Sequence, residues 1–463
     1  INTYSSGGSF NLDTPAVATV TNGTCQLYQR DQLIRVIGGT WDRQDNASAS
    51  STDVSHNIMF RYADGIVVKE TTEVSETPTD STFLYGIFGQ SVTAMTIRDV
   101  NYGANPDILL WSSIGSMNGQ PGYGRDGIHI AGPAKHILID GVTGSTGDNF
   151  IVLSCADLTA QSGNIVGPVS FCEIRGVHGY TTQCLVAIYS GYGVSMRDID
   201  VHNVHGWADG SAGVVQVADY PNSPTYGGLY DNILIDGVYA NSPSNGIPLI
   251  YLAGANMGRI KLKNLKFENS SSTAAGVINI GAVNNVATTI AELTIDDFVI
   301  NGLGSSKVIY DNGYATITRL RTSNWSNPIA NYPLVAITGA VGNWDNKDKI
   351  PLASLTGQTS AISATTAFVV PSGGAGIYRV VADIVVATAG TAGTVLGSVI
   401  TNNGGANFTQ STSALSLTTA GNEVTQTFEA YCAAGTNINY STTLSGVTGS
   451  PQYSVRLRAE FLG

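Results

Sequence analysis

The chain has 463 residues, 54 of them glycine, with only 12% charged and a formal net charge of −12. That length suits two domains, or one long repeat domain with an appendage. An acidic chain without a basic stripe argues against nucleic-acid binding, and no apolar run approaches the roughly 20 residues of a membrane-spanning helix, so no membrane insertion is expected.

Five cysteines (Cys25, Cys155, Cys172, Cys184 and Cys432) are odd in number and fit no zinc spacing. They are expected to be small buried hydrophobes, not disulfides. The chain starts at Ile1 without a signal-peptide pattern. The expectation is a processed edge, with an upstream anchoring segment missing.

In chain order, the first strand signals are Leu33-Ile34-Arg35-Val36-Ile37, Asn57-Ile58-Met59-Phe60 and Ile66-Val67-Val68-Lys69. A repeat then sets in: apolar, any, apolar, polar, small or polar, apolar. Its copies are Met95 to Val100, Ile137 to Val142, Cys172 to Val177, Ile199 to Val204, Ile233 to Val238, Ile260 to Leu265 and Leu293 to Phe298. Successive copies end between 27 and 42 residues apart.

A second apolar strand precedes most copies. Examples are Phe83 to Phe88, Gly127 to Ile130, Phe150 to Leu153, Cys184 to Ile188, Gly213 to Val217, Pro248 to Leu252, Gly276 to Ile280 and Lys307 to Tyr310. Such two-strand units cannot bury an apolar face alone, but stacked units can. Leucine-rich repeats need a regular leucine frame of constant length, which is missing here. The variable period predicts an all-β chain with a right-handed parallel β-helix over residues 1–325.

Composition shifts near Trp325. Residues 326–349 hold Pro, Asn and Asp and read as a connector. Residues 350–463 carry closely spaced alternating strands: Ala367 to Val370, Gly376 to Val381, Val395 to Ile400, Val424 to Tyr431 and Tyr453 to Phe461. This predicts a C-terminal antiparallel β-sandwich, jelly-roll-like, for trimerisation or carbohydrate binding.

The sharpest chemical signal is a pair of aspartates 22 residues apart, Asp126 and Asp148, each just before an apolar strand. Aligning Ile128 with Phe150 and Ile130 with Val152 would put Asp126 over Asp148, with His129 and Ile151 pointing outward. Neighbouring turns of a solenoid are about 4.8 Å apart. Two carboxylates that close would differ in proton affinity and could serve as acid and base for glycosidic cleavage. Both are also ordinary turn formers.

The run Asp126-Gly127-Ile128-His129 through Thr146-Gly147-Asp148-Asn149 resembles the Asp-Gly-Ile … Gly-Asp-Asp core of polygalacturonase-type glycoside hydrolases. It is still more similar to that core as phage tailspike depolymerases carry it. The segment Pro371 to Val380 resembles jelly-roll modules at the tips of phage tail proteins. The resemblance implies catalytic roles for Asp126 and Asp148. Asn149 stands where the polygalacturonase pattern has a third aspartate, and the family's Gly-His-Gly has only His178-Gly179 as a counterpart.

Candidate substrate contacts are Asn149, His129, Arg125, Tyr123, His178, Tyr180, Tyr189 and Trp207, with Trp111, Tyr192, Tyr220 and Tyr226 adding to the aromatic density around the pair. A lyase would draw on Arg125, Lys135, His136 or Arg175. No cofactor or metal is expected. The resemblance implies a virion protein of a phage tail, homotrimeric, joined to the rest of the tail through the missing N-terminal segment. It would act on a bacterial surface polysaccharide such as capsule or O-antigen. A non-enzymatic glycan-binding spike and a free pectinase are the competing readings.

Overall fold

The computed structural model describes residues 31–42, 58–74, 85–102, 126–146, 148–156, 165–181, 183–208, 213–219, 227–241, 248–268, 277–282, 286–301, 309–311, 313–326, 335–336, 340–346, 350–370 and 374–462. All regular structure in them is β. Each turn of the main body supplies one long strand and one short strand. The long strands, such as Thr93–Tyr102, Ala134–Thr146, Val169–Thr181 and Ser195–Ala208, form a 14-stranded sheet. The short strands, among them Tyr85–Gln90, Asp126–Ala131, Ile151–Ser154, Val186–Ser190 and Val215–Asp219, form a 10-stranded sheet. Every pairing in both sheets is parallel, and strands pair with those of the next turn. This is a parallel β-helix.

The hexapeptide repeat explains itself in the register. Met95, Ile137, Cys172, Ile199, Ile233, Ile260 and Leu293 stack as one column, so all the copies align. Their first, third and sixth positions face the core; Ile97, Ile139, Ile174, Val201, Ile235, Leu262 and Ile295 are fully buried. The fifth position bends the chain around a corner in the left-handed region. Its occupants are Asp99, Gly141, Gly176, Asn203, Gly237, Asn264 and Asp297, with φ between 48° and 77°. Only glycine, and less easily Asn or Asp, takes that conformation cheaply. The "small or polar" slot of the repeat is therefore a backbone requirement.

The parallel ladder runs on through Ala340–Asn346, inside the stretch expected to be a connector. From Ile350 onward the pairing is antiparallel. One sheet orders Ile350–Gln358, Gln452–Phe461, Gly376–Thr388 and Glu423–Cys432. The other is built on Thr365–Val369, Asn437–Thr448, Ala392–Asn402 and Asn407–Ser411. Phe368, Tyr378, Ile384, Val399, Tyr440 and Tyr453 are buried here. Tyr378 donates to the Gly374 carbonyl at 2.8 Å. Tyr453 Oη pairs with Thr442 Oγ1 at 2.6 Å, so both of these buried phenols find a polar partner.

Cys155, Cys172, Cys184 and Cys432 are buried and free, as expected of small hydrophobes, while Cys25 lies outside the described residues. Burial pushes the Cys172 thiol up to about 12.

Candidate functional site

The site forms where the long strand Ala134–Thr146 ends and the chain turns into the short strand Ile151–Ser154. Its register differs from the expected one by a residue. Ile128 pairs with Ile151, His129 with Val152 and Ile130 with Leu153. Carried back two residues, that ladder sets Asn149, not Asp148, on Asp126. Ile151 consequently belongs to the core and does not point outward. The reason is local. Phe150 and Ile151 are both fully buried, Phe150 edge-on to the Tyr102 ring at 5.7 Å, so two consecutive apolar residues enter the interior at this corner.

Asn149 joins the two aspartates. Its backbone N–H and its side-chain Nδ2 both donate to Asp126 Oδ1, each at 3.1 Å. The same Nδ2 donates to Asp148 Oδ1 at 3.2 Å. Asp126 and Asp148 therefore lie within reach of one amide nitrogen, close enough for each charge to act on the other. These bonds also fix the amide's orientation, because a flipped amide would set its oxygen against two carboxylates. Among the described residues, Asn149 Oδ1 is buried without a hydrogen-bond partner.

The other oxygen of Asp126 leads inward. His129 Nδ1 lies 2.8 Å from Asp126 Oδ2, and His129 Nε2 lies 2.9 Å from Ser154 Oγ. With the proton on Nδ1, the ring donates to Asp126 and accepts from the serine hydroxyl. Aspartate, imidazole and serine then form one chain of hydrogen bonds. The imidazole packs against Tyr85 at 4.4 Å and Phe88 at 5.9 Å. Asp126 is only 6% exposed, His129 3% and Ser154 0%, whereas Asp148 is half-buried. Asp148 is thus the more open carboxylate, and Asp126 is held from behind.

The next turn adds a third wall. Tyr189 Oη and Cys184 Sγ both donate to Gln216 Oε1, at 2.9 and 3.1 Å. Burial, followed by the charges of Cys184, Asp126 and Asp148, raises the Tyr189 phenol well above its ordinary range. Burial, then the Asp148 charge, raises the Cys184 thiol. Both groups keep their protons and act as donors.

Gly127 makes the close stacking feasible. A Cβ there would meet the Phe150 carbonyl oxygen at 2.6 Å and Thr146 Cγ2 at 3.1 Å. Its N–H donates to the Asn149 carbonyl at 3.0 Å. Thr146 Oγ1 donates to that carbonyl as well, at 3.1 Å, and lies 3.3 Å from Thr181 Oγ1 on the following turn.

The remaining candidates are more scattered. Tyr123 and Arg125 lie outside the described residues, as do Trp111, Tyr220 and Tyr226. His178 is exposed on the flank of the long-strand sheet, in a column with His205 and Tyr239. Tyr180 is buried, in register with Ser145 and Trp207. Tyr192 is partly buried against the core. Lys135 and His136 begin the strand whose far end leads to Asp148, and Arg175 is engaged by Asp140 and Glu173 at 2.9 and 2.8 Å. Sequence reasoning missed Ser154 and Gln216, polar residues inside otherwise apolar strands. Among the described residues no cluster of His, Cys, Asp or Glu could hold a metal ion.

No protein-family model matches the chain, and no curated protein matches it. Solved structures do. The tailspike of Pseudomonas phage phi297 shares 14% identity at a TM-score of 0.41, over 87% of this chain and 63% of that one. The next two structures are phage tailspikes as well. That of Pseudomonas phage LKA1 gives 12% and 0.39, over 92% and 67%. A double mutant of the Escherichia coli bacteriophage HK620 tailspike, in complex with a pentasaccharide, gives 10% and 0.38, over 93% and 75%. At such identities the likeness concerns the fold. The chain spans under two thirds of the phi297 protein's length.

Proposed function

We propose that this protein is a tailspike-type depolymerase that hydrolyses glycosidic bonds of a bacterial surface polysaccharide with Asp126 and Asp148. The observation that carries the reading is the Asn149 amide nitrogen, hydrogen-bonded to both carboxylates at once. It gathers two like charges at one strand-end corner, an arrangement that a turn-forming role for either aspartate does not require.

In this reading Asp148, the more open of the two, protonates the leaving glycosidic oxygen. Asp126, with Asn149 and His129 donating to it, stays an acceptor and takes the proton of the attacking water. His129 and Ser154 orient it. The Tyr189 side faces the sugar hydroxyls. The protein works as a homotrimer at the phage tail, and capsule or O-antigen is its substrate. A lyase is less well supported, since Lys135 and His136 stand at the far end of their strand and Arg175 is neutralised by Asp140 and Glu173.

A binding-only spike is the second reading. It is favoured by one observation: Asp126 is 6% exposed and already accepts from Asn149 and His129, as a structural carboxylate would. Incubation with host polysaccharides, followed by sizing of the products, separates the two. Shortened chains support hydrolysis; retention without shortening leaves binding alone. New absorbance of an unsaturated uronate in the products would mark a lyase.

A further inference from the structure

The second corner of the β-helix carries a feature that the aspartate site does not use. One residue per turn sits there in the left-handed region: Ala94, His136, Phe171, Asp198 and Asn232, with φ from 55° to 58°. Asp and Asn suit that conformation, and a bulky aromatic does not. Yet Phe171 holds it with its side chain 43% exposed. Backbone strain spent on presenting an apolar ring to solvent points to a role outside folding.

The surroundings say which role. His136 stacks on Phe171 with ring centroids 5.2 Å apart and planes 24° from parallel. Lys135 Nζ lies 5.2 Å from the Phe171 centroid and Arg197 Cζ 6.0 Å from it. Neither cation has an ion pair among the described residues. Arg197 is in register with Asp231, but Arg259 claims that carboxylate through two bonds, at 3.0 and 2.8 Å. Lys135 also lines a cleft of about 570 Å³ whose walls include Tyr62, Pro133, Ile165 and Pro168. Among the described wall residues Lys135 is the only charged one. Glu173, Asp198 and Asp200 lie on the opposite flank of the His136–Phe171 ridge, lining a separate cleft. Glu173 is bound by Arg175 and Asp198 by Asn232. A polyanion would be repelled from that flank and kept on the Lys135 side.

We propose that this corner is a second glycan-binding site, selective for a carboxylate-bearing polysaccharide. The apolar faces of the sugars rest on the proline, tyrosine and phenylalanine walls, and the carboxylates meet Lys135 and Arg197. The inference rests on the reading that the protein engages a surface polysaccharide. It sits at the other end of the strand Ala134–Thr146 from Asp148, so binding there holds the polymer while a different stretch is cut.

The probes are alginate oligosaccharides, which carry carboxylates, and dextran oligosaccharides, which do not. Binding of each is titrated against the full chain and its Asp148→Asn, Phe171→Asn, Lys135→Gln and Arg197→Gln variants. Phe171→Asn places a residue that suits the corner, so its fold is kept. The expected result is binding of alginate but not dextran, weakened by salt. Asp148→Asn leaves it intact, and each of the other three weakens it by about tenfold or more. Unchanged affinity in Phe171→Asn and Lys135→Gln would overturn the proposal. So would equal binding of dextran, or no alginate binding by the unmodified chain. If Phe171→Asn instead dissociates an oligomer while alginate binding stays, the ridge is a contact between copies of the chain. Cleavage surviving in Asp148→Asn would defeat the hydrolase reading and leave this site standing.

Discussion

Asn149 stacks on Asp126 and donates to one of its oxygens twice, from the backbone and from the side chain. Replacing it with aspartate restores the Asp-Asp sequence of the polygalacturonase-type core. In this protein the change removes the shared donor and sets a third carboxylate against a buried one. Asn149→Asp is expected to cost about 1–3 kcal/mol at neutral pH. Thermal unfolding of both forms at neutral pH tests this. Equal stability at neutral pH would show that the amide bridge is not needed.

Ser154→Ala takes one hydrogen bond from the His129 ring. The expected loss is about 0.5–1.5 kcal/mol of stability. Because the serine is fully buried and only orients the imidazole, kcat should fall by less than tenfold with KM unchanged. Steady-state kinetics decide the matter. A loss as large as that of the aspartates would make Ser154 a participant in the chemistry.

Gly127→Ala would force a Cβ to within 2.6 Å of the Phe150 carbonyl. The backbone must shift, at a cost of about 1–3 kcal/mol. Asp126 and Asn149 move apart with it, so activity should fall further than stability alone accounts for. Full activity in a stable Gly127→Ala variant would contradict the tight packing of the two turns.

Burial raises the thiols of Cys172 to about 12 and of Cys155 and Cys432 to about 11. In a Cys25→Ser background, no thiol should react with a disulfide reagent near pH 8 until denaturant is added. The sign of the linkage follows. Unfolded thiols lose their protons from about pH 8.5, while folded ones keep theirs. Their contribution is present below that pH and is lost as pH rises toward 11 and 12. Urea midpoints should therefore fall between about pH 9 and 11, and less steeply in Cys172→Ala.

The stacked repeat was legible in the sequence because its logic is one-dimensional. Met95, Ile137 and Cys172 begin copies of one motif, and the structure stacks them in one column. Even the backbone corner showed through, since Gly141, Asn203 and Asp297 share a slot that only such residues fill cheaply. The register at the site did not show through. Phe150 and Ile151 are both apolar and both buried, so alternation cannot say which of them pairs with Ile128. In strands a slip of one residue exchanges the two faces. Here it moved Asp148 off Asp126 and put Asn149 in its place. Ser154 was hidden for a related reason: it lies two residues beyond the pairing partner of His129, a diagonal relation visible only once the register is known.

The central claim is that Asp148 and Asp126 cut a glycosidic bond. Asp148→Asn keeps the side chain's shape and removes its acid function. The most direct measurement is the rate at which host capsule or O-antigen is shortened by the unmodified protein and by this variant, with binding of the same polysaccharide followed in parallel. The account predicts a fall of about 100-fold or more in the cleavage rate, with binding retained. Cleavage by Asp148→Asn at the unmodified rate would contradict it.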